Sequence, residues 1–262
     1  MKTEIIYFSA TGTTKVLVEA ISQGLSGDVY FTNVTLPESR KDNLIADCDL
    51  TIIAAPVYGE RIPHFLYDFY EQINGNGSPL VAVAVYGNMG FGISLEQFKD
   101  LADKSNFKLI AAGAFIGQHT YATKAAPIAY GRPDQDDLKQ ARIFGENIQK
   151  KMDTGHFPPV DLPKSALPKF ITEFPDTGTR FLIRQPRVIK SACTTCGACA
   201  RKCPVGAIDR KTLEISEQKC LRCYACVKAC PKAARIADFR LPVFRVIFRH
   251  AGINRKENQT FL

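Results

Sequence analysis

Cys193-Thr-Thr-Cys196-Gly-Ala-Cys199-Ala-Arg-Lys-Cys203-Pro204 is answered further along the chain by Cys220-Leu-Arg-Cys223-Tyr-Ala-Cys226-Val-Lys-Ala-Cys230-Pro231. Each half reads C-x2-C-x2-C-x3-C-P, and this is the chain's one internal repeat. Three cysteines at equal short spacing wrap successive corners of an iron–sulfur cluster, and eight thiolates suffice for two [4Fe–4S] clusters. Zinc fits less well, because its ligands usually come as two separated pairs around one tetrahedral ion. Disulfides fit least, since they belong to secreted chains and no signal peptide is read here.

The run resembles that of two-cluster bacterial ferredoxins over about residues 188–237, both prolines included. In that family the fourth cysteine of each run ligates the other cluster. The resemblance therefore implies one cluster on Cys193, Cys196, Cys199 and Cys230, and a second on Cys220, Cys223, Cys226 and Cys203. So small a unit is held together by its clusters more than by a core.

Working outward, 262 residues are comfortable for two domains, and 45% apolar with 23% charged residues is ordinary for a globular protein. The longest apolar stretch, around residues 80–95, carries Asn88 and three glycines, so no membrane span is read. Met1-Lys-Thr-Glu-Ile-Ile-Tyr-Phe-Ser reads as a strand rather than a signal segment, which makes the expected location cytoplasmic. The formal charge of +8 treats cysteine as neutral. Eight thiolates with two clusters of about +2 each shift it by roughly −4, and a flavin phosphate removes about two more. A nucleic-acid partner is therefore not expected, and a basic docking face for an acidic redox protein is.

Residues 1–152 alternate strand and helix. Strands are read at 5–8, 29–34, 50–55, 80–86 and 108–116, and helices at 13–25, 65–73, 94–102 and 133–152. Near-continuous apolar strands separated by helices predict a doubly wound α/β domain with a five-stranded parallel sheet, binding its ligand at the strands' carboxyl ends. Residues 153–187 hold Pro158, Pro159, Pro163, Pro168, Pro175 and Pro186 and read as a linker. Its Phe170, Ile171, Phe174, Phe181, Leu182 and Ile183 are apolar enough to predict that it lies on the first domain. Residues 238–262 form a basic, aromatic tail, read either as a membrane-surface anchor or as a segment packing back onto the protein.

Directly after the first strand come Ser9-Ala10-Thr11-Gly12-Thr13-Thr14 and then a helix. A helix N-terminus with small hydroxylated residues offers donors to a phosphate, and Gly12 lets the backbone approach it. Lys15 is followed by Val16, so this is no triphosphate P-loop, and no G-x-G-x-x-G is present for a dinucleotide. The loop resembles the T/S-x-T-G-x-T phosphate loop of the flavodoxin family, and that resemblance extends over roughly residues 1–152. It implies a flavodoxin-like fold, with Ser9, Thr11, Gly12, Thr13 and Thr14 on the phosphate of FMN.

A second loop, Pro56-Val57-Tyr58-Gly59-Glu60, matches the aromatic–Gly–acidic triplet of flavodoxins. The resemblance implies that Tyr58 stacks on the isoalloxazine and that Gly59 permits a peptide flip toward the flavin N5. The third loop, Tyr86-Gly87-Asn88-Met89-Gly90-Phe91-Gly92, has three glycines that let backbone approach a flat ring, with Asn88 available for its pyrimidine edge. It departs from small flavodoxins in lacking their outer-face tyrosine. Either Phe91 substitutes, or that face is open to the cluster domain or a substrate. His119 lies at the same end of the sheet and reads as a proton donor, a substrate contact or a solvated loop residue; Lys124 and Arg132 have similar standing. Cys48 reads as a small apolar filler.

The order of parts resembles flavodoxin–ferredoxin fusions of anaerobes, the ferrodoxins, over nearly the whole chain. It implies electron transfer between FMN and two [4Fe–4S] clusters, linking two-electron and one-electron redox proteins. The alternative is an FMN-dependent oxidoreductase acting on a quinone, an enone or a nicotinamide. The residues leave open whether flavin and clusters meet within one molecule or across a homodimer.

Overall fold

The structure, a computed structural model, describes residues 1–40, 45–123, 126–165, 179–251 and 254–262. Lys124, within the predicted flavin-side loop, and Pro168, Phe170, Ile171, Phe174 and Pro175 of the linker lie outside the described residues.

The first unit alternates β1 (Lys2–Tyr7), α1 (Thr13–Ser22), β2 (Asp28–Asn33), β3 (Leu50–Pro56), α2 (His64–Glu71), β4 (Pro79–Tyr86), α3 (Ser94–Lys104), β5 (Lys108–Ile116) and α4 (Gln135–Thr154). The five strands are parallel in the order β2-β1-β3-β4-β5, the flavodoxin-like winding that places a ligand crevice at the β1/β3 switch point. Alternate residues serve opposite faces. Ile6, Phe8, Ala82 and Ala84 pack under α2 and α3, while Ile5, Tyr7, Val81 and Val83 pack under α1 and α4. Such burial stabilises by about 1.5–3 kcal/mol for each large aliphatic side chain. Helices α1 and α4 approach so closely that a Cβ on Gly145 would lie 2.0 Å from the Ile21 carbonyl.

One helix start and one added strand are the instructive departures from the reading of the sequence. Helix α4 begins after Pro133, because Asp134 caps it: its side chain accepts from the N–H groups of Asp136 and Asp137, and Asp137 answers the Asp134 N–H. The sheet also gains a sixth strand, β8 (Gln259–Phe261), antiparallel to β5 with Gly113 opposite Thr260. The tail is thus part of the first unit's sheet. Asn258 fixes its entry. Its Oδ1 accepts from Ile116 N–H at 2.8 Å, and its Nδ2 donates to Asp137 and Gln140 at 2.9 Å.

The linker lies along the first unit where it is described. Leu162 and Phe157 pack on its two core faces, and Ser165 N–H donates to Glu96. It ends in a short helix, α5 (Thr179–Leu182). The second unit comprises a two-stranded sheet, β6 (Arg187–Val188) with β7 (Arg235–Ile236), and two four-residue helices, α6 (Ala198–Arg201) and α7 (Ala225–Lys228). Its two halves repeat in backbone as well as in sequence. Thr195 and Arg222 are both left-handed, as are Gly197 and Tyr224. A last helix, α8 (Pro242–Ala251), packs back through Phe244 and Phe248 onto Tyr121, Tyr224, Ile183 and Phe239. Among the described residues no helix is long and apolar enough to cross a membrane.

Candidate functional site

The loops following β1, β3, β4 and β5 enclose a cavity of about 520 Å³, within the range of small-molecule and cofactor sites. Ser9, Thr11, Thr13 and Thr14 line it where α1 begins. Its N-cap, Gly12, has no side chain to cap it, which leaves the N–H groups of Thr13 and Thr14 toward a ligand. Ser9 Oγ accepts instead from Lys15 N–H at 3.1 Å. Gly12 is left-handed at φ 93°, and a Cβ there would meet nothing within 4 Å, so conformation rather than space asks for glycine.

Pro56, Val57, Tyr58 and Gly59 also line the cavity, as do Tyr86, Gly87 and Gly90. Asn88 does not. Its Nδ2 donates to the Asn254 carbonyl at 2.7 Å and its Oδ1 accepts from Lys256 N–H at 3.1 Å, so the side chain fastens the tail rather than facing a pyrimidine edge. Phe91 and Gly92 are likewise absent from the wall: Phe91 stands edge-on to Tyr86, 5.6 Å between ring centroids. The loop's glycines have partners of their own. A Cβ at Gly87 would lie 2.4 Å from the His119 ring, one at Gly90 2.5 Å from the Glu60 carboxylate, and one at Gly92 2.1 Å from the Glu60 carbonyl. They allow loop to pack on loop.

Sequence reasoning did not assign Glu60, Arg61, Tyr121, Leu221, Cys223 and Phe248 to this wall. Only Glu60 and Tyr121 carried a signal, since both sit in loops at the strands' carboxyl ends. Burial pushes the Glu60 carboxyl upward, against the opposing pull of Lys256 and the Gly92 N–H. His119 lines the cavity and accepts through Nδ1 from Tyr121 N–H at 3.1 Å. Burial, with Lys228 nearby, brings it down to about 4, so it is a neutral imidazole at pH 7. Arg132 turns away from the site: it pairs with buried Asp137 and donates to the Lys256 carbonyl at 2.7 Å. Cys48 bonds to the backbone and to Thr51 beside β3.

Cys193, Cys196, Cys199 and Cys230 line one small cavity together with Val188, Leu213 and Arg235. Around it Ala234 N–H donates to Cys230 Sγ at 3.2 Å and Arg235 approaches Cys199 Sγ at 3.4 Å. Burial pushes Cys230 upward, but the N–H groups of Lys232, Arg235 and Ala234 with the Arg235 charge outweigh it and leave the thiol below its usual value. Among the other cysteines of the two runs, burial drives Cys223 up to about 12, and Cys226, Cys203 and Cys220 crowd it further. Four crowded thiols of this kind favour a cationic group that can hold them as thiolates, as an iron–sulfur cluster does.

The two units meet at Cys223. It lines the large cavity, its carbonyl accepts from Thr120 Oγ1 at 2.8 Å, and burial raises Tyr58 well above a normal phenol, with Cys223 and Tyr121 adding to the rise. Tyr121 stacks at a tilt on Tyr224, 4.9 Å between centroids. On the far side Arg40 donates to the Pro204 carbonyl at 2.6 Å.

A flavodoxin domain model matches residues 4–119 and a 4Fe-4S dicluster domain model matches residues 185–238. A diflavin flavoprotein of Thermosynechococcus vestitus is 32% identical over 155 residues, which are 58% of this chain; the chain spans a quarter of that relative's length. Similar solved structures include a flavodoxin from the domain Archaea, with 16% identity, 58% of this chain, 99% of that chain and a TM-score of 0.43. Flavodoxin 1 from Bacillus cereus has 13% identity over 60% of this chain and 100% of its own, with a TM-score of 0.45. The flavodoxin match implies FMN and the dicluster match implies iron–sulfur clusters. The chain is a fusion of a flavodoxin domain with a ferredoxin-type 4Fe-4S dicluster domain.

Proposed function

We propose that this chain moves electrons within one molecule between FMN in the large cavity and two [4Fe–4S] clusters, converting between two-electron and one-electron partners. The observation that carries the reading is the shared wall: Ser9, Thr11, Thr13 and Thr14 at the start of α1 and Cys223 of the second cysteine run line the same cavity. FMN supplies one- and two-electron chemistry and each cluster passes single electrons. Ser9, Thr11, Gly12, Thr13 and Thr14 hold the phosphate at the start of α1, and Tyr58 and Gly59 border the ring. Tyr86, Gly87 and Gly90 form the opposite rim, and neutral His119 offers a hydrogen-bonding edge without bringing charge.

Cys203, Cys220, Cys223 and Cys226 hold the inner cluster. Cys193, Cys196, Cys199 and Cys230 hold the outer one, where Cys196 is exposed. Exposed Lys232 lines that outer site and exposed Arg201 donates to the Cys196 carbonyl at 2.8 Å beside it, which supports an acidic redox protein as the one-electron partner. Reduction of a small substrate draws less support, because Cys223, Leu221 and Phe248 already form part of the cavity wall. Flavin, iron and sulfide content of anaerobically purified protein tests the reading. The expected result is about one FMN with about eight irons per chain. Eight irons with no flavin, even after FMN is added, overturns it.

A further inference from the structure

Helix α8 presents three distinct sectors at 3.6 residues per turn. Phe244 and Phe248 face inward; Phe248 lies 5.6 Å from His119 and 5.4 Å from Phe239 between ring centroids, and it lines the flavin cavity. Val243, Val246 and Ile247 lie on the outward side, each 52% exposed, with Leu241 at 53% just ahead of the helix. Arg245 and Arg249 form the third sector beside them, and the helix has no acidic residue. The nearest acid in sequence, Asp238, is paired with Arg245 at 2.6 Å. A row of branched aliphatics held in water, flanked by arginines, is an interaction surface rather than a solvated face.

We propose that this face seats the protein on an anionic lipid surface. Ten residues span about 15 Å, half of a bilayer's apolar thickness, so the helix can lie in the interface but cannot cross it. Val243, Val246 and Ile247 enter the headgroup boundary, Arg249 reaches lipid phosphates along its edge, and Arg245 can exchange Asp238 for a phosphate beside it. A second copy of the chain is the poorer occupant, since a twofold contact would set the arginine sectors of two basic molecules together. The unpaired backbone edges of a β-type partner have nothing to meet on a helix. Because Phe248 is the inward side of the same helix, docking here brings the lipid surface against the back of the flavin cavity wall.

The test is flotation of the holoprotein with vesicles of phosphatidylcholine, with and without phosphatidylglycerol. Wild type is expected to float only with the anionic vesicles. The double variant Val246→Asp/Ile247→Asp should bind at least about tenfold more weakly, from the loss of two buried aliphatic side chains. Arg249→Gln should cost roughly fivefold, and Arg245→Gln should also weaken binding, since it uncovers the Asp238 carboxylate beside the face. Lys139→Gln/Lys150→Gln on α4 removes the same charge elsewhere and should leave flotation unchanged. Flavin and iron content confirm that each variant is folded. No flotation by wild type overturns the proposal. So does flotation that survives the Val246/Ile247 change, or a dimer that this change abolishes in the absence of vesicles.

Discussion

Thr195 and Arg222 occupy matching places in the two cysteine runs, each left-handed and each just before the second cysteine. Thr195 is exposed, whereas Arg222 is buried, pairs through Nη2 with Glu217, and has no hydrogen-bond partner for Nε or Nη1 among the described residues. A buried cation stabilises the more negative, reduced form of a nearby cluster. Arg222→Gln should therefore lower the potential of one cluster and spare the other in a spectroscopically monitored titration, while Arg222→Lys should restore most of it. Equal movement of both would contradict the assignment of Arg222 to the inner site. At the other end of the cavity, Thr11→Val and Gly12→Val should weaken FMN binding at least about tenfold, the scale of a lost charge-assisted hydrogen bond, with iron content unchanged. Flavin titration by fluorescence quenching checks this. The grouping of these residues was legible in the sequence because their spacing is local: Ser9, Thr11, Thr13 and Thr14 line one stretch of the large cavity as near neighbours in the chain, and Cys193, Cys196 and Cys199 line the small one in the same way. Asn88 was not. A polar residue in a glycine loop looks ligand-facing until its partners Asn254 and Lys256, far along the chain, are known.

Among elements, β3, β4 and β5 announced themselves through unbroken apolar runs, since strands buried on both faces have no polar alternation to blur them, whereas the edge strand β2, Asp28-Val-Tyr-Phe-Thr-Asn33, is largely exposed. Strand β8 did not. Gln259-Thr260-Phe261 has no length and little hydrophobicity, and only its pairing with Ala112–Ala114 makes it a strand. The glycines of the β4 loop have a use the sequence did not show: Gly87 and Gly90 line the cavity, and Gly87, Gly90 and Gly92 also leave room for His119 and Glu60 to pack on the loop. The entry of β8 hangs on Asn258, whose side chain satisfies Ile116 N–H and ties the tail to α4. Asn258→Ala should leave that buried donor unpaired and destabilise the first unit by about 1–3 kcal/mol. The measurement is denaturant unfolding followed by flavin fluorescence. Iron should stay bound at midpoints where flavin is already released, since the second unit keeps its own ligands.

At the scale of the molecule, what matters is the seam, and no motif encodes it. The Thr120–Cys223 bond, the Arg40–Pro204 bond and the Tyr121–Tyr224 ring contact all join residues remote in sequence. Tyr224 is left-handed where the first run has Gly197, a conformation that costs a non-glycine residue roughly 1 kcal/mol or more. Packing of its ring on Tyr121, worth about 0.5–1.5 kcal/mol beyond burial, offsets that cost and makes the inner run specific for this neighbour. If the seam is the electron path, exchange between flavin and the inner cluster is intramolecular. After rapid reduction of the clusters, flavin reduction should then follow a first-order rate that does not change with protein concentration. Thr120→Val with Arg40→Ala should slow that rate while both cofactors stay bound, because only the contacts between units are lost. A rate that rises in proportion to concentration would mean that electrons cross between molecules instead, and Cys223 at the cavity wall would then be a ligand of the cluster and no more.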